Sequence, residues 1–136
     1  RLTGGRRLGT VRDPDTRALA LGWIYFDEST PGQQLYISYA NVRQLMLESY
    51  GVTGPQDRMP IFEREVYMAR AVGRALAHEL GHYFLASKEH TKNGLMKAHR
   101  TATEFFGPDQ RSFKLDRAQR SLITARLAQE AVVVSR

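Results

Sequence analysis

The chain of 136 residues contains no cysteine. This absence excludes disulfide frameworks, cysteine-ligated zinc sites, iron–sulfur clusters and thiol nucleophiles. Apolar runs are also short. No stretch approaches the roughly 18 residues that a membrane span needs, and none resembles a signal peptide. What is present, 42% hydrophobic and 25% charged residues, is typical of a globular protein, and the length predicts one domain over residues 1–136.

The excess of basic over acidic side chains gives the chain a net charge of +6. Such a charge is compatible with an anionic partner such as nucleic acid. However, the Lys and Arg residues form no continuous run and do not alternate regularly with aromatic residues, which nucleic-acid-binding surfaces often do. We therefore expect a solvated basic surface and no nucleic-acid partner, and the oligomeric state stays open.

The absence of cysteine leaves the cellular compartment undecided, since a reducing cytosol and a disulfide-free secreted protein both permit it. A secreted or extracytoplasmic location is the one we favour. The chain begins with Arg1 instead of methionine, so we expect it to be a processed or truncated piece of a longer product.

Turn signals and alternating apolar residues predict strands in the first part of the chain. Residues 8–11 and 18–26 are predicted strands because they are apolar and bounded by turn-forming residues. The Pro-Gly segment at residues 29–32 is a predicted turn, after which apolar side chains alternate from Leu35 onward. The two segments on either side of this turn are expected to form a hairpin.

Helical spacing dominates the rest of the chain. Asn41 is expected to cap a helix that ends near Tyr50, and longer helices are predicted over residues 61–86 and 116–130. Between them, residues 87–108 are predicted to be irregular, with a helical turn near 102–106. The fold class is therefore α+β, with a small mixed sheet packed on a long helix and an irregular C-terminal part that ends in a second helix. The core stripe expected on the long helix consists of Phe62, Val66, Ala69, Leu76, Leu80 and Phe84.

The long helix contains the pattern H-E-x-x-H, formed by His78, Glu79 and His82. Two histidines four residues apart lie on one helical face and can bind one zinc ion together. His78 lies about 200° around the helix axis from Leu80, so the histidines are expected to point away from the core stripe, toward a cleft. Glu79 lies on the flank of this face, where its carboxylate suits a general base. One zinc ion per chain is the predicted cofactor.

A catalytic zinc needs a third protein ligand and one open position. His90 is the candidate, because a chain reversal through residues 87–89 would bring its imidazole back to the metal. Met96, in the turn that Gly94 introduces, is expected to form the floor beneath the site. A stripe of small residues at intervals of four would let another segment approach the helix closely, and it consists of Gly73, Ala77 and Gly81.

This constellation resembles the metzincin clan of zinc metallopeptidases, whose motif is H-E-x-x-H-x-x-G-x-x-H followed by a methionine-containing turn. The matching residues, in chain order, are His78, Glu79, His82, His90 and Met96. Leu85 stands where the clan has its glycine, and the third histidine comes two residues later than usual. The chain is therefore similar to divergent metzincin-like bacterial proteins, in which seven residues separate H-E-x-x-H from the third histidine and G-[LI]-M follows.

The resemblance implies a zinc-dependent endopeptidase acting on a peptide or protein substrate. It assigns the three histidines to the metal and Glu79 to catalysis. It also implies that Leu21, Gly22, Trp23 and Ile24 belong to the edge strand that binds extended substrate through main-chain hydrogen bonds. Clan members have a further strand and helix before this strand, and no full counterpart precedes Leu8, so we expect part of the N-terminal region to be missing.

Two alternatives stay open. In a gluzincin-like peptidase, a glutamate on a later helix is the third ligand, and Glu104 is the residue in question. The domain could instead be a zinc-stabilised binding or interaction module without activity. A second donor for the oxyanion is not evident, since Tyr39, Tyr83 and His99 qualify by residue type only.

Overall fold

A computed structural model describes residues 19–134 of the chain. In chain order it contains β1 (Gly22–Asp27), β2 (Thr30–Ile37), α1 (Tyr39–Glu48), α2 (Tyr50–Thr53), α3 (Ile61–Leu85), α4 (Ala102–Phe106) and α5 (Arg117–Val134). The long helix α3 packs on both strands, which confirms the α+β class. The strand predicted at residues 8–11 and the first residue of the strand predicted over 18–26 lie outside the described residues.

The two strands form an antiparallel hairpin, as predicted. Its turn is shorter than the sequence suggested and consists of Glu28 and Ser29, with Glu28 in the left-handed region at φ 53°. Placing the turn at the Pro-Gly dipeptide was wrong, because Pro31 already lies in β2 opposite Phe26. The pairing register shifts between Ile24 and Phe26, and a proline is tolerated near such an irregularity because the regular hydrogen-bond ladder is interrupted there.

Helix α1 begins three residues earlier than predicted. Its N-cap is Ser38, whose Oγ accepts a hydrogen bond from the backbone N–H of Asn41 at 3.1 Å. The prediction that Asn41 caps the helix was therefore wrong. Asn41 is instead buried inside the first turn, where its Nδ2 donates to the carbonyl of Ala20 at 2.7 Å. This bond ties α1 to the segment that enters β1.

The predicted bounds of α3 agree with the structure to within one residue, but the predicted core stripe was wrong. Phe62 is 77% exposed, and Ala69, Leu76 and Phe84 also face solvent, while Val66 and Leu80 are half-buried. The hairpin, α1 and α4 pack on the opposite face, where small side chains let these elements approach closely. That core consists of Leu21, Val42, Met46, Met68, Ala71, Ala75 and Phe106.

A second, smaller core forms at the C-terminal end of α3. It consists of Leu85, Leu95 and Met96, with Ala77, Phe113, Leu115 and Ile123 packed against them. The segment between α3 and α4 is irregular and α4 falls at the predicted position, while α5 extends four residues beyond its predicted end. Within residues 19–134, no helix is long and apolar enough to cross a membrane.

Candidate metal centre

Three histidine side chains meet at one point beside α3. His78 and His82 lie one turn apart on the helix, and His90 comes from the segment that follows it. The reversal predicted after the helix is present: Ala86 adopts the left-handed conformation at φ 46°, and the N–H of Ser87 donates to the carbonyl of His82. The chain therefore returns toward the helix and brings His90 to the other two histidines.

The three Nε2 atoms form a nearly equilateral triangle. His78 and His82 are 3.1 Å apart at these atoms, His82 and His90 3.2 Å, and His78 and His90 3.3 Å. A tetrahedral zinc with Zn–N bonds of about 2.0–2.1 Å separates its nitrogen ligands by roughly 3.3–3.4 Å. The triangle therefore fits the face of a zinc tetrahedron to within a few tenths of an ångström.

Backbone carbonyls fix the tautomers of both helical histidines. The Nδ1 of His78 donates to the carbonyl of Leu95 at 2.9 Å, and the Nδ1 of His82 donates to the carbonyl of Ser87 at 2.6 Å. Because a carbonyl oxygen can only accept, the ring proton must be on Nδ1, which leaves an Nε2 lone pair directed into the triangle. Such lone pairs repel one another at this distance unless a cation or a proton lies between them. The three side chains are therefore close enough to hold one metal ion together.

Burial also favours the neutral imidazole at this site. It lowers the pKa of His78 to about 4, an effect that the hydrogen bond to Leu95 partly opposes and the neighbouring histidines reinforce. Burial likewise lowers the pKa of His90, with His82 and His99 adding to the shift. The neutral form is the one that binds metal ions, so these side chains are ready to act as ligands.

Met96 lies directly beneath the helical turn that bears His82. It is 1% exposed, and a Cβ on Gly81 would overlap its sulfur and come within 3.2 Å of its Cε. Gly94, at φ 77°, starts the turn, and a Cβ there would meet the Lys114 carbonyl at 2.8 Å. Met96 therefore packs against α3 at Gly81, the member of the small-residue stripe that makes room for it, whereas Gly73 faces open space. Its role as the floor beneath a metal ion stays a prediction.

Glu79 lines a cleft of about 660 Å³ together with His78, His82 and His90. Its side chain is buried against the start of β1, where a Cβ on Gly22 would lie 2.9 Å from the Glu79 Cγ. Gly22 thus leaves the space that the glutamate occupies. Burial raises the pKa of Glu79 to about 7, a value at which a carboxyl group can both accept and release a proton near neutral pH.

Strand β1 forms one wall of the cleft. Gly22, Trp23 and Ile24 belong to the strand and line the cleft, and among the described residues β1 pairs only with β2. Leu21 also lines the cleft but precedes the strand, so its assignment to the strand was wrong by one residue. Its side chain belongs to the core, and its carbonyl accepts from the N–H of Ser38 at 2.9 Å.

Several cleft residues were not recognised from the sequence. Lys88 lines the cleft, with its Nζ 5.4 Å from the centre of the ring of Phe26 in β1. Among the three residues that qualified by type as oxyanion donors, His99 lines the cleft, whereas Tyr39 and Tyr83 do not. Lys97 and Arg100, which the sequence did not single out, line the cleft as well. No spacing in the sequence marks these positions, because they come from an irregular segment.

Glu104 lies outside the histidine triangle. Its carboxylate accepts from Lys97 Nζ at 3.0 Å and from the backbone N–H of Thr101 at 2.8 Å, completing a capping box at the start of α4. Arg100 is a further partner at 3.4 Å. The structure therefore gives Glu104 a structural role at α4 and brings His90 to the other two histidines.

Comparisons with protein-family models, with curated proteins and with solved structures give no match for this chain. Membership of the metzincin clan therefore stays a prediction.

Proposed function

We propose that the chain is a zinc-dependent endopeptidase of the metzincin-like type, with His78, His82 and His90 as the zinc ligands. The observation that supports this most strongly is the convergence of three Nε2 atoms, 3.1–3.3 Å apart, in the wall of an open cleft. Three imidazole nitrogens suit zinc, and three protein ligands leave a fourth position for water or substrate.

The residues around the triangle supply the remaining parts of peptide hydrolysis. Zinc, when bound, polarises the scissile carbonyl and makes water a stronger acid. Glu79 takes the proton from the attacking water and delivers it to the leaving amine. Strand β1, which lines the same cleft, holds the extended peptide by main-chain hydrogen bonds.

The replacement Glu79→Gln tests this proposal. It keeps the shape of the side chain but removes its ability to accept a proton, so we expect the variant to keep its zinc and to lose peptide hydrolysis by roughly 10²–10⁴-fold. The measurement is cleavage of a mixed-sequence fluorogenic peptide library, with zinc content determined on the same samples. Glu63→Gln is the matched control, because Glu63 is exposed in the first turn of α3, far along the helix from the histidines.

Two results would contradict the proposal in different ways. Hydrolysis by Glu79→Gln at the wild-type rate would remove Glu79 from the mechanism. A wild-type protein that binds zinc and cleaves no peptide in the library would instead be the zinc-stabilised binding domain considered above.

A further inference from the structure

We infer that Arg100 is a positioning residue for the metal centre, because it holds the backbone carbonyl that orients His78. The inference rests on the proposed metal site, but it concerns a residue that neither the motif nor the family resemblance includes. Arg100 acts through the turn at Gly94 and Leu95, the segment that runs beneath α3 and leads into Met96.

The central contact is the carbonyl oxygen of Leu95. It accepts from Nδ1 of His78 at 2.9 Å and from Nη2 of Arg100 at 3.3 Å. The same Nη2 also donates to the carbonyl of Gly94 and, at 3.1 Å, to that of Ser112. One guanidinium group therefore fixes the peptide group whose oxygen sets the tautomer and direction of His78.

Arg100 is itself held rigidly. Its side chain is 3% exposed, its Cζ lies 3.9 Å from the centre of the Phe113 ring, and its Nη1 contacts the carboxylate of Glu104. A planar guanidinium can bond several carbonyls in one plane while it stacks on an aromatic ring, whereas a lysine ammonium is a compact donor that cannot do both. The position therefore requires the planar guanidinium of arginine, and a positive charge alone is not sufficient.

Loss of this support frees the Leu95 carbonyl and with it the ring of His78. A metal ligand whose hydrogen-bond partner is removed typically loses 10–100-fold in metal affinity, because the imidazole is no longer held in the binding geometry. The same loss changes the ligand field of a bound metal ion, which a purely structural defect elsewhere in the fold does not.

Arg74 provides a matched control within the same structure. It is also a buried arginine, and its Cζ lies 4.6 Å from the same Phe113 ring. Its guanidinium, however, donates to the carbonyls of Glu104, Phe105, Gly107 and Asp109 and to none in the turn at residues 94–96. Replacing either arginine by lysine removes comparable packing. Only Arg100, however, donates to the carbonyl that also accepts from His78.

The experiment compares Arg100→Lys with Arg74→Lys, using zinc alone as the probe in competition with a chromophoric chelator. We expect Arg100→Lys to weaken zinc affinity by 10–100-fold and to shift the visible absorption of the cobalt-substituted protein. Arg74→Lys should keep both close to wild type. Circular dichroism establishes that each variant is folded before titration.

Equal zinc affinities for Arg100→Lys and wild type would overturn the inference, as would an equal loss in Arg74→Lys. If Arg100→Lys does not fold, Phe113→Leu replaces it, since this change removes the ring beneath Arg100 and keeps the guanidinium. It should also weaken zinc affinity, and an unchanged affinity would again overturn the inference. A wild-type protein that binds no zinc would refute the proposed function itself, which separates the two failures.

Discussion

At the scale of single residues, His90 and Glu104 distinguish two classes of zinc peptidase. The Nε2 of His90 lies 3.2–3.3 Å from the Nε2 atoms of the two helical histidines. The carboxylate of Glu104 is bonded to Lys97 and to the N-terminus of α4. The sequence left the choice open because a ligand on an irregular segment has no fixed spacing from a helix.

We predict that His90→Ala weakens zinc affinity at least tenfold, or about 1.4 kcal/mol, because one of three ligands is lost. Glu104→Ala should leave the affinity nearly unchanged, since its carboxylate contacts no ligand atom. Its contact with Arg100 is long, at 3.4 Å, and the ring contact that holds Arg100 remains. A competitive zinc titration of both variants measures this. The opposite order would assign the protein to the gluzincin-like class.

Glu104→Ala should instead reduce the free energy of unfolding, by about 1–2 kcal/mol at pH 7, since charge-assisted hydrogen bonds are lost. Burial pushes the pKa of Glu104 upward, but the Thr101 N–H and the Lys97 ammonium outweigh it, so the pKa lies below 4.5. A carboxyl with a depressed pKa stabilises the fold above its unfolded-state pKa and loses this contribution as the pH falls.

The difference between wild type and Glu104→Ala should therefore shrink below about pH 4.5. Urea unfolding of both proteins at pH 7 and at pH 3 provides the comparison. A difference that is the same at both pH values would show that the carboxylate charge does not stabilise α4.

At the scale of secondary-structure elements, the sequence predicted where helices and strands lie better than which of their faces are buried. The bounds of α3 and the existence of the hairpin were predictable, because helical spacing, prolines and alternation are local signals. The buried face of α3 was not predictable. Large apolar side chains of this helix point to solvent, while Met68, Ala71 and Ala75 face the core. Arg74, Glu79 and His82 are also buried on that face. Polar residues make a core face difficult to recognise from hydropathy alone.

The two glycines inside α3 provide a matched pair for testing how the helix meets the Met96 turn. Gly73→Ala should stabilise the protein by up to about 1 kcal/mol, because alanine favours helix and a Cβ there meets nothing within 4 Å. Gly81→Ala should destabilise it by roughly 1–3 kcal/mol, since the new methyl group overlaps the buried sulfur of Met96.

Denaturant unfolding of both glycine variants, followed by zinc titration, is the measurement. Gly81→Ala should also weaken zinc binding, because displacing Met96 disturbs the turn that supplies the Leu95 carbonyl to His78. A stabilised Gly81→Ala protein with wild-type zinc affinity would contradict this account of the methionine floor.

At the scale of the whole molecule, the histidine triangle joins α3 to the irregular segment that follows it. His78 and His82 belong to the helix, whereas His90 and the carbonyl of Leu95 belong to residues 86–101, which contain no helix or regular strand. A metal ion at this point would bridge the two parts and stabilise the folded state, since binding to the native state alone shifts the folding equilibrium.

Zinc content of the purified protein is the measurement that tests this account most directly. The protein should be prepared without chelator and without a nickel resin, and its metals determined by elemental analysis before and after dialysis against zinc. Three histidine ligands at a tetrahedral spacing predict about one zinc ion per chain. A protein that contains no zinc as purified and takes up none on dialysis would contradict the metal centre and the peptidase activity proposed for it.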